Sequence, residues 1–261
     1  MTDINKKNAS IIISASWIFT SNSADQLLSD YSIVIKGNQI IDLVHQSKVF
    51  DEYDAEEIYQ LTDHILIPGL INTHTHAAMS LFKGFSDDLP LQDWLNNYIW
   101  PAEKKFVNSS FVKDGSMLAL SEMIKAGVTT FNDMYFYPES TAEASIELGV
   151  RSNVGLVVLD FPTNYAADPE DYLVKGFEFR DRWRSEELIT TSIAPHAPYS
   201  VSDEAFSLIN TYSEELGMNI HMHLHETQWE IEDSVKRYGI TPVQRLNNLG
   251  IINPSLIAAH C

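Results

Sequence analysis

The stretch Leu66-Ile67-Pro68-Gly69-Leu70-Ile71-Asn72-Thr73-His74-Thr75-His76 joins an apolar segment to two histidines at its end. The apolar part, from His64 to Asn72, predicts a buried strand. His74 and His76 are two residues apart, so on a strand both imidazoles point to the same face. Such a pair can bind one metal ion, although an isolated His-X-His is also compatible with a solvated turn.

A second alternation of histidines, His221-Met222-His223-Leu224-His225-Glu226, ends another apolar segment. Imidazoles along a buried strand would each cost about 1–3 kcal/mol if their polar nitrogens found no partner. Most of the nine histidines lie late in, or just after, a predicted strand. In a (β/α) barrel the carboxyl ends of the strands meet at one cavity. The sequence therefore predicts a metal site at that end of a barrel.

The pattern from Ile65 onward is an alternation of apolar strands and helices, which is typical of parallel βα units. We expect an α/β fold with an incomplete TIM-like (β/α) barrel, comprising barrel strands 1 to 6. The predicted strands are His64–Asn72, Val128–Met134, Val150–Leu159, Leu188–Pro195, Met218–Leu224 and Leu256–His260. The predicted helices are Leu91–Phe106, Ser109–Ala126, Pro138–Leu148, Asp168–Ser185, Ser202–Leu216, Gln228–Tyr238 and Pro242–Leu249.

The first part of the chain has a different pattern of secondary structure. Short strands such as Tyr31–Ile35 and Gln39–Val44 are joined there by a hairpin turn. We interpret residues 1–62 as the N-terminal part of a small β-sandwich domain. Residues 63–261 then form the barrel domain, which stops after strand 6.

The charge balance excludes several classes of protein. The 261 residues contain 17 Lys plus Arg and 36 Asp plus Glu, which gives a formal net charge of −19. A nucleic-acid binder needs clustered cations, so neither nucleic acid nor an anionic membrane is an expected partner. The longest apolar runs are shorter than the roughly 20 residues of a membrane-spanning helix. The polar segment Met1–Ser10 and the single cysteine, Cys261, favour the cytoplasm over export.

Several motifs together resemble the metal-dependent amidohydrolase superfamily. They are Pro68-Gly69-Leu70-Ile71 with His74-Thr75-His76, His223-Leu224-His225-Glu226-Thr227, and Ala258-Ala259-His260-Cys261. The run from His74 to Glu103, which includes Ala77-Ala78-Met79-Ser80-Leu81 and Asp87-Asp88-Leu89-Pro90, is similar to the 5′-methylthioadenosine/S-adenosylhomocysteine deaminases. The resemblance covers about residues 8 to 261.

The resemblance implies that His74, His76 and His223 bind one divalent metal ion per subunit. Zinc is the expected ion, and Fe²⁺ and Mn²⁺ stay open because imidazole sites accept them as well. His260 would orient the reacting water, and Glu226 would carry its proton to the substrate. Without the resemblance, Glu226 could equally be an exposed carboxylate at a helix start.

Two further residues are implied to bind the substrate. Glu103 would hold the ribose hydroxyls, since one carboxylate can accept hydrogen bonds from both members of a vicinal diol. His196, between Pro195 and Pro198, would contact the substrate at the end of the fourth strand. Trp94 and Phe85 are candidates for stacking on an adenine, or are core aromatics. The sequence gives His45, His64, His221 and His225 no role.

The chain departs from the family in one respect. The superfamily has an aspartate metal ligand at the end of barrel strand eight, and this chain stops at strand six. We therefore expect a truncated chain that is inactive or nearly so on its own, with homo-oligomer formation left open. The expected reaction of the whole enzyme is zinc-dependent hydrolytic deamination of the adenine of 5′-methylthioadenosine or S-adenosylhomocysteine, which gives the inosine analogue and ammonia.

Two kinds of alternative function stay open. Guanine or cytosine deamination, or hydrolytic removal of chloride from a heterocycle, would use the same metal site without the ribose contact of Glu103. A non-catalytic, metal-free subunit is the alternative from another class. The absence of an arginine in Leu156–Asp160 weakly favours methylthioadenosine over the carboxylate-bearing homocysteine nucleoside, unless Arg180, Arg182 or Arg184 lies near the pocket.

Overall fold

The structure is a computed structural model that describes residues 6–21 and 26–261. It divides into two compact units between Gly69 and Leu70. The first five residues, which belong to the polar N-terminal segment, lie outside the described part of the chain. Within the described ranges, none of the helices combines the length and the apolar character needed to cross a bilayer.

The first unit is built on a four-stranded sheet with the order β3-β2-β1-β4. Its elements are β1 (Lys7–Phe19), β2 (Leu27–Lys36), β3 (Gln39–His45), α1 (Gln46–Glu52) and β4 (Tyr53–Leu66). The predicted hairpin is confirmed, since β2 and β3 pair antiparallel down to Lys36 and Gln39. Gly37 has a φ of +61°, which L side chains rarely adopt. Alternate residues such as Ile12 and Val34 fill the small core of this unit.

Two predictions for this region were wrong. Helix α1 was not expected, and the single strand predicted over residues 64–72 is two strands. β4 ends at Leu66, where it still pairs with Ile18 of β1, and β5 begins at Leu70. Pro68 explains the break, because proline has no backbone N–H to donate to a sheet. β4 thus carries the first unit past residue 62, the boundary that the sequence suggested.

The second unit contains six parallel strands in the sequential order β5 to β10, which form an incomplete barrel as the sequence predicted. The strands are β5 (Leu70–Thr75), β6 (Val128–Tyr135), β7 (Arg151–Val158), β8 (Ile189–Pro195), β9 (Ile220–Leu224) and β10 (Leu256–His260). Three strands separate β5 from β9 in the sheet, yet a side chain of β5 contacts a side chain of β9. The sheet is therefore strongly curved.

The helices alternate with these strands. They are α2 (Leu91–Trp94), a π-helical turn (Leu95–Ile99), α3 (Trp100–Phe106), α4 (Ser109–Lys125), α5 (Pro138–Leu148), α6 (Pro169–Trp183), α7 (Asp203–Leu216), α8 (Gln228–Tyr238) and α9 (Pro242–Asn248). A 3₁₀ turn over Ala77–Phe82 follows β5 directly. Gly115 of α4 packs so closely on Ala78 that an added Cβ would clash with the Ala78 backbone. This contact fixes the segment that follows His76.

The core of the second unit lies between the strands and the helices that cover them. All five residues of β9 are buried, as expected for a strand that is covered on both faces. Large buried side chains come from both layers, for example Ile193 of β8, Phe206 of α7 and Phe179 of α6. This packed framework holds the carboxyl ends of the strands in place.

A candidate metal centre and active site

A cavity of about 660 Å³ opens at the carboxyl ends of the barrel strands. Except for Phe85, it brings together the residues that the sequence singled out for metal binding, proton transfer and substrate binding. Those that line it are His74, His76, Glu103, His196, His223, Glu226 and His260. The convergence follows from the topology, since parallel strands end at the same rim.

The rings of the three predicted metal ligands are held through their Nδ1 atoms. His76 Nδ1 donates to the Met134 carbonyl (2.6 Å), and His223 Nδ1 donates to the His196 carbonyl (2.7 Å). His74 Nδ1 lies 2.9 Å from His221 Nε2. In each ring the Nε2 atom is therefore left for another partner, which is the usual arrangement when an outer group orients a metal-binding histidine.

The imidazoles converge on one point. His76 Nε2 lies 3.1 Å from His223 Nε2. Among the described residues, His74, His223 and His260 each offer a nitrogen such that all three atoms lie within 4.8 Å of one another. Two Zn–N bonds of about 2.0–2.1 Å at a tetrahedral angle put the nitrogens about 3.3 Å apart. The 3.1 Å between the His76 and His223 nitrogens therefore fits a zinc-sized ion.

Burial keeps several of these imidazoles neutral, which is the form that binds a metal. It lowers the pKa of His74 to about 3, with further contributions from the neighbouring imidazoles. Burial likewise lowers the pKa of His223 far below the ordinary histidine value, and the pKa of His196 to about 3. Because these imidazoles stay unprotonated near neutral pH, their nitrogens are available to bind a metal cation.

Glu226 and His260 face each other at the edge of this cluster. Glu226 Oε1 lies 3.7 Å from His260 Nε2, and both side chains keep some exposure to the cavity. The His260 ring stacks parallel to the His223 ring with the centroids 5.5 Å apart. A carboxylate beside a metal-site histidine is well placed to exchange a proton with a water molecule bound there.

Glu103 reaches the same cavity from α3. Tyr135, at the end of β6, donates a hydrogen bond to Glu103 Oε1 (2.7 Å). Burial raises the pKa of Glu103 to about 7, and the Tyr135 hydrogen bond opposes that rise. Since Oε2 makes no hydrogen bond to the described residues, it is free to accept from a ligand hydroxyl.

His196 and the two aromatic candidates differ in their placement. His196 Nδ1 lies 2.9 Å from Ser200 Oγ, so the ring is fixed while its other edge faces the cavity. Trp94 contributes to the cavity wall. Phe85 is not part of that wall; its side chain is exposed, and its carbonyl accepts from the Trp94 indole N–H.

Some residues near the site were missed by the sequence reasoning. His221 was given no role, yet it contacts His74. The signal was present, because His221 and His223 alternate on one strand as His74 and His76 do. Asp133 was also missed: its Oδ1 accepts from the Thr75 hydroxyl (2.8 Å) and from the Ala77 N–H (2.7 Å), on either side of His76.

The arginines considered as partners of a substrate carboxylate lie elsewhere. Arg180 and Arg184 line a second cavity with the first residues of β8, at the opposite ends of the strands. Arg182 is an exposed side chain near Glu139. Among the described residues, Lys104 is the one lysine or arginine that lines the active-site cavity.

Comparison with known proteins places these features in context. The model of the amidohydrolase family matches residues 65–261. The chain is 44% identical to a 5-methylthioadenosine/S-adenosylhomocysteine deaminase of Saccharophagus degradans, over 98% of this chain and 57% of that protein. It is 36% identical to a 5′-deoxyadenosine deaminase of Methanothermobacter thermautotrophicus, over 88% of this chain and 53% of that protein.

A solved structure shares the fold closely. The crystal structure of an adenosine deaminase from Xanthomonas campestris with bound zinc superposes with a TM-score of 0.94 at 36% identity, over 97% of this chain and 58% of the other. The chain thus spans a little over half the length of the relatives it matches.

Proposed function

The chain belongs to the amidohydrolase family, and from that premise we propose that it carries the metal-binding and proton-transfer half of a zinc-dependent deaminase of 5′-substituted adenosines. Related proteins named as 5-methylthioadenosine/S-adenosylhomocysteine and 5′-deoxyadenosine deaminases support adenine deamination as the chemistry. The zinc in the Xanthomonas campestris structure supports zinc as the metal.

One observation carries the proposal. The Nε2 atoms of His76 and His223 lie 3.1 Å apart, and the His74 imidazole lines the same cavity as the carboxylates of Glu226 and Glu103. A metal site, a proton carrier and a diol acceptor are the groups that hydrolytic deamination of a nucleoside requires.

The residues have distinct parts in the proposed reaction. Zinc, when bound, supplies the Lewis acidity that makes water a nucleophile near neutral pH. The Glu226 carboxylate takes a proton from the attacking water and delivers it to the adenine ring nitrogen, while His260 orients the water. A C–O bond forms at the ring carbon. The second proton of the water passes from the new hydroxyl to the amino group, the C–N bond breaks, and ammonia leaves. The products are the inosine analogue and ammonia.

Glu103 favours a nucleoside over a free base as the substrate. Its Oε2 faces the cavity and can accept from a ribose hydroxyl, a contact that guanine, cytosine or a chlorinated heterocycle would not use. The aromatic side chains of Trp100, Phe161 and Tyr165 also line the cavity. They suit an apolar 5′-substituent, so we propose methylthioadenosine as the preferred substrate.

The test is an assay of the protein expressed from its complete gene, alongside residues 1–261 alone. We expect the complete, zinc-loaded protein to release ammonia from methylthioadenosine with the higher kcat/KM, from S-adenosylhomocysteine with a lower one, and not from guanine. Glu226→Gln should lose the activity while keeping the zinc, and Glu232→Gln, an exposed carboxylate of α8, the helix that follows Glu226, is the control. Residues 1–261 alone should be inactive.

Other outcomes would overturn the proposal in different ways. Turnover of free bases or of chlorinated heterocycles at higher kcat/KM would favour the alternative substrates. A complete protein that is a stable, metal-free oligomer without activity would favour a non-catalytic subunit. Cytoplasmic location stays a prediction from the composition.

A further inference from the structure

We propose that Glu230 is the positioning residue for Glu226: its buried carboxylate holds the backbone turn that aims the proton-carrying side chain into the cavity. The proposal rests on the function proposed above for Glu226. It assigns a part in the reaction to a residue that touches neither the metal ligands nor the substrate cavity.

Both oxygens of Glu230 are engaged with the turn between β9 and α8. Oε1 accepts from the His225 N–H (3.0 Å), and Oε2 accepts from the Glu226 N–H (3.0 Å). Glu230 is 1% exposed, so these bonds are shielded from water. Two parallel hydrogen bonds to one carboxyl group fix its orientation as well as its distance.

The turn that Glu230 holds is one that the chain adopts at a cost. His225 has a φ of +55°, in the left-handed region that residues with a Cβ disfavour. Such a conformation persists where the surrounding contacts enforce it. Glu226 follows this turn directly, and its Oε1 atom lies 3.7 Å from His260 Nε2.

Ordinary helix capping does not explain the arrangement. In α9 the cap residue Thr241 and the third helical residue, Gln244, form a capping box, in which the Gln244 side chain accepts from the Thr241 N–H. In α8 the cap residue is Thr227, and Glu230 holds the corresponding position. Its carboxylate reaches past the cap to the two preceding residues. The side chain is therefore directed to the segment that carries Glu226.

Glu230→Gln in the complete, zinc-loaded protein tests the inference. The amide keeps one acceptor oxygen, but its NH₂ group would face a backbone N–H, so the turn loses one bond and gains a donor–donor contact. We expect kcat for nucleoside deamination to fall by about tenfold to a hundredfold, since small misplacements of a reacting group cost that much. KM and zinc content should stay within about twofold, and the acidic limb of the kcat–pH profile should move.

Gln244→Ala is the matched control, because it removes the side chain at the same position of a neighbouring helix. It should reduce stability slightly and leave kcat and its pH profile unchanged. If Glu230→Gln leaves kcat and the pH profile unchanged, or lowers kcat no more than Gln244→Ala does, the inference is wrong. An inactive wild-type protein would instead count against the proposed function.

A second measurement covers a variant that fails to fold. Amide hydrogen exchange on the wild-type protein reports directly on the two hydrogen bonds. The His225 and Glu226 amides should exchange much more slowly than the exposed Gln228 amide at the helix start. Rapid exchange at both amides would show that Glu230 does not hold the turn.

Discussion

His76 Nε2 and His223 Nε2 lie 3.1 Å apart, although 147 residues separate them in the chain. Each ring donates through Nδ1 to a backbone carbonyl, so the two facing nitrogens are the ones that carry lone pairs. Two lone pairs at this distance repel each other unless a positive charge lies between them. The arrangement therefore suits a cation bound between the first and fifth strands of the barrel.

The first prediction concerns metal content. His223→Ala removes one of the converging nitrogens, and bound zinc should fall from about one per chain to a small fraction of that after dialysis. His64→Ala, an exposed histidine of β4, is the control and should keep its zinc. Elemental analysis of both purified variants gives the comparison. Full zinc retention by His223→Ala would mean that the metal, if any, binds elsewhere.

The second prediction concerns Glu103 and the sugar. Glu103→Gln in the complete protein should raise KM for methylthioadenosine by about tenfold to a hundredfold, since a hydrogen bond to a charged group contributes about 1.5–3 kcal/mol. The change in kcat should be smaller. Glu147→Gln, an exposed carboxylate of α5, serves as control. Unchanged nucleoside kinetics in Glu103→Gln would remove the ribose contact from the proposal.

The third prediction is a pH dependence of stability. The pKa of Glu103 is raised by burial to about 7, above its unfolded value of 4.5. The unfolded chain therefore releases this proton first, and the folded state loses stability as the pH rises from about 4.5 to 7. Glu103→Gln cannot ionise, so its stability relative to wild type should improve between pH 5 and pH 8, by roughly 2 kcal/mol.

Urea unfolding of wild type and Glu103→Gln at the two pH values measures this difference directly. Glu232→Gln, an exposed carboxylate, should show almost no change relative to wild type. An equal stability difference between Glu103→Gln and wild type at pH 5 and pH 8 would contradict the raised pKa.

The fourth prediction concerns Arg245, a buried arginine that contacts the segment following His196. Arg245 of α9 donates from Nε to Asp203 Oδ1 (2.6 Å) and from its NH groups to the carbonyls of Pro198 and Val201. Its side chain is 3% exposed. Arg245→Met leaves the carbonyls of Pro198 and Val201 without this donor, and each buried acceptor left unsatisfied should cost about 1–3 kcal/mol of unfolding free energy. The Asp203 side chain is 48% exposed and stays accessible to water.

Arg237→Met is the control for this prediction. Arg237 forms an exposed pair with Asp233 one helical turn away, so its loss should cost less than about 1 kcal/mol. Urea unfolding of both variants decides the matter. Similar losses for the two arginines would show that the Arg245 hydrogen bonds contribute little.

The sequence was most informative where local signals are strong. Pro138–Leu148 and Gln228–Tyr238 were predicted with the bounds they have, because glycines 149 and 239 end these helices in left-handed conformations. The histidines of the site could be found because parallel strands place their ends together. The break at Pro68 was misjudged, since the apolar run continues across it and hides the change from one sheet to the other.

The supporting contacts could not be predicted in this way. The Tyr135–Glu103 and Asp133–Ala77 hydrogen bonds join residues whose proximity depends on how strands and helices pack. Glu230 looks in the sequence like an ordinary residue of a helix start. Its part in the turn depends on the positive φ of His225, which no sequence pattern announces.

The pairing of His76 with His223 also bears on how the chain folds. A metal ion held by both would act as a cross-link that closes a loop of 147 residues and thereby restricts the unfolded chain. Closing so long a loop removes much conformational entropy from the unfolded state, as a disulfide of the same span would. Bound zinc would then hold the first barrel strand against the fifth. The free energy of unfolding of the barrel would therefore rise with the zinc concentration.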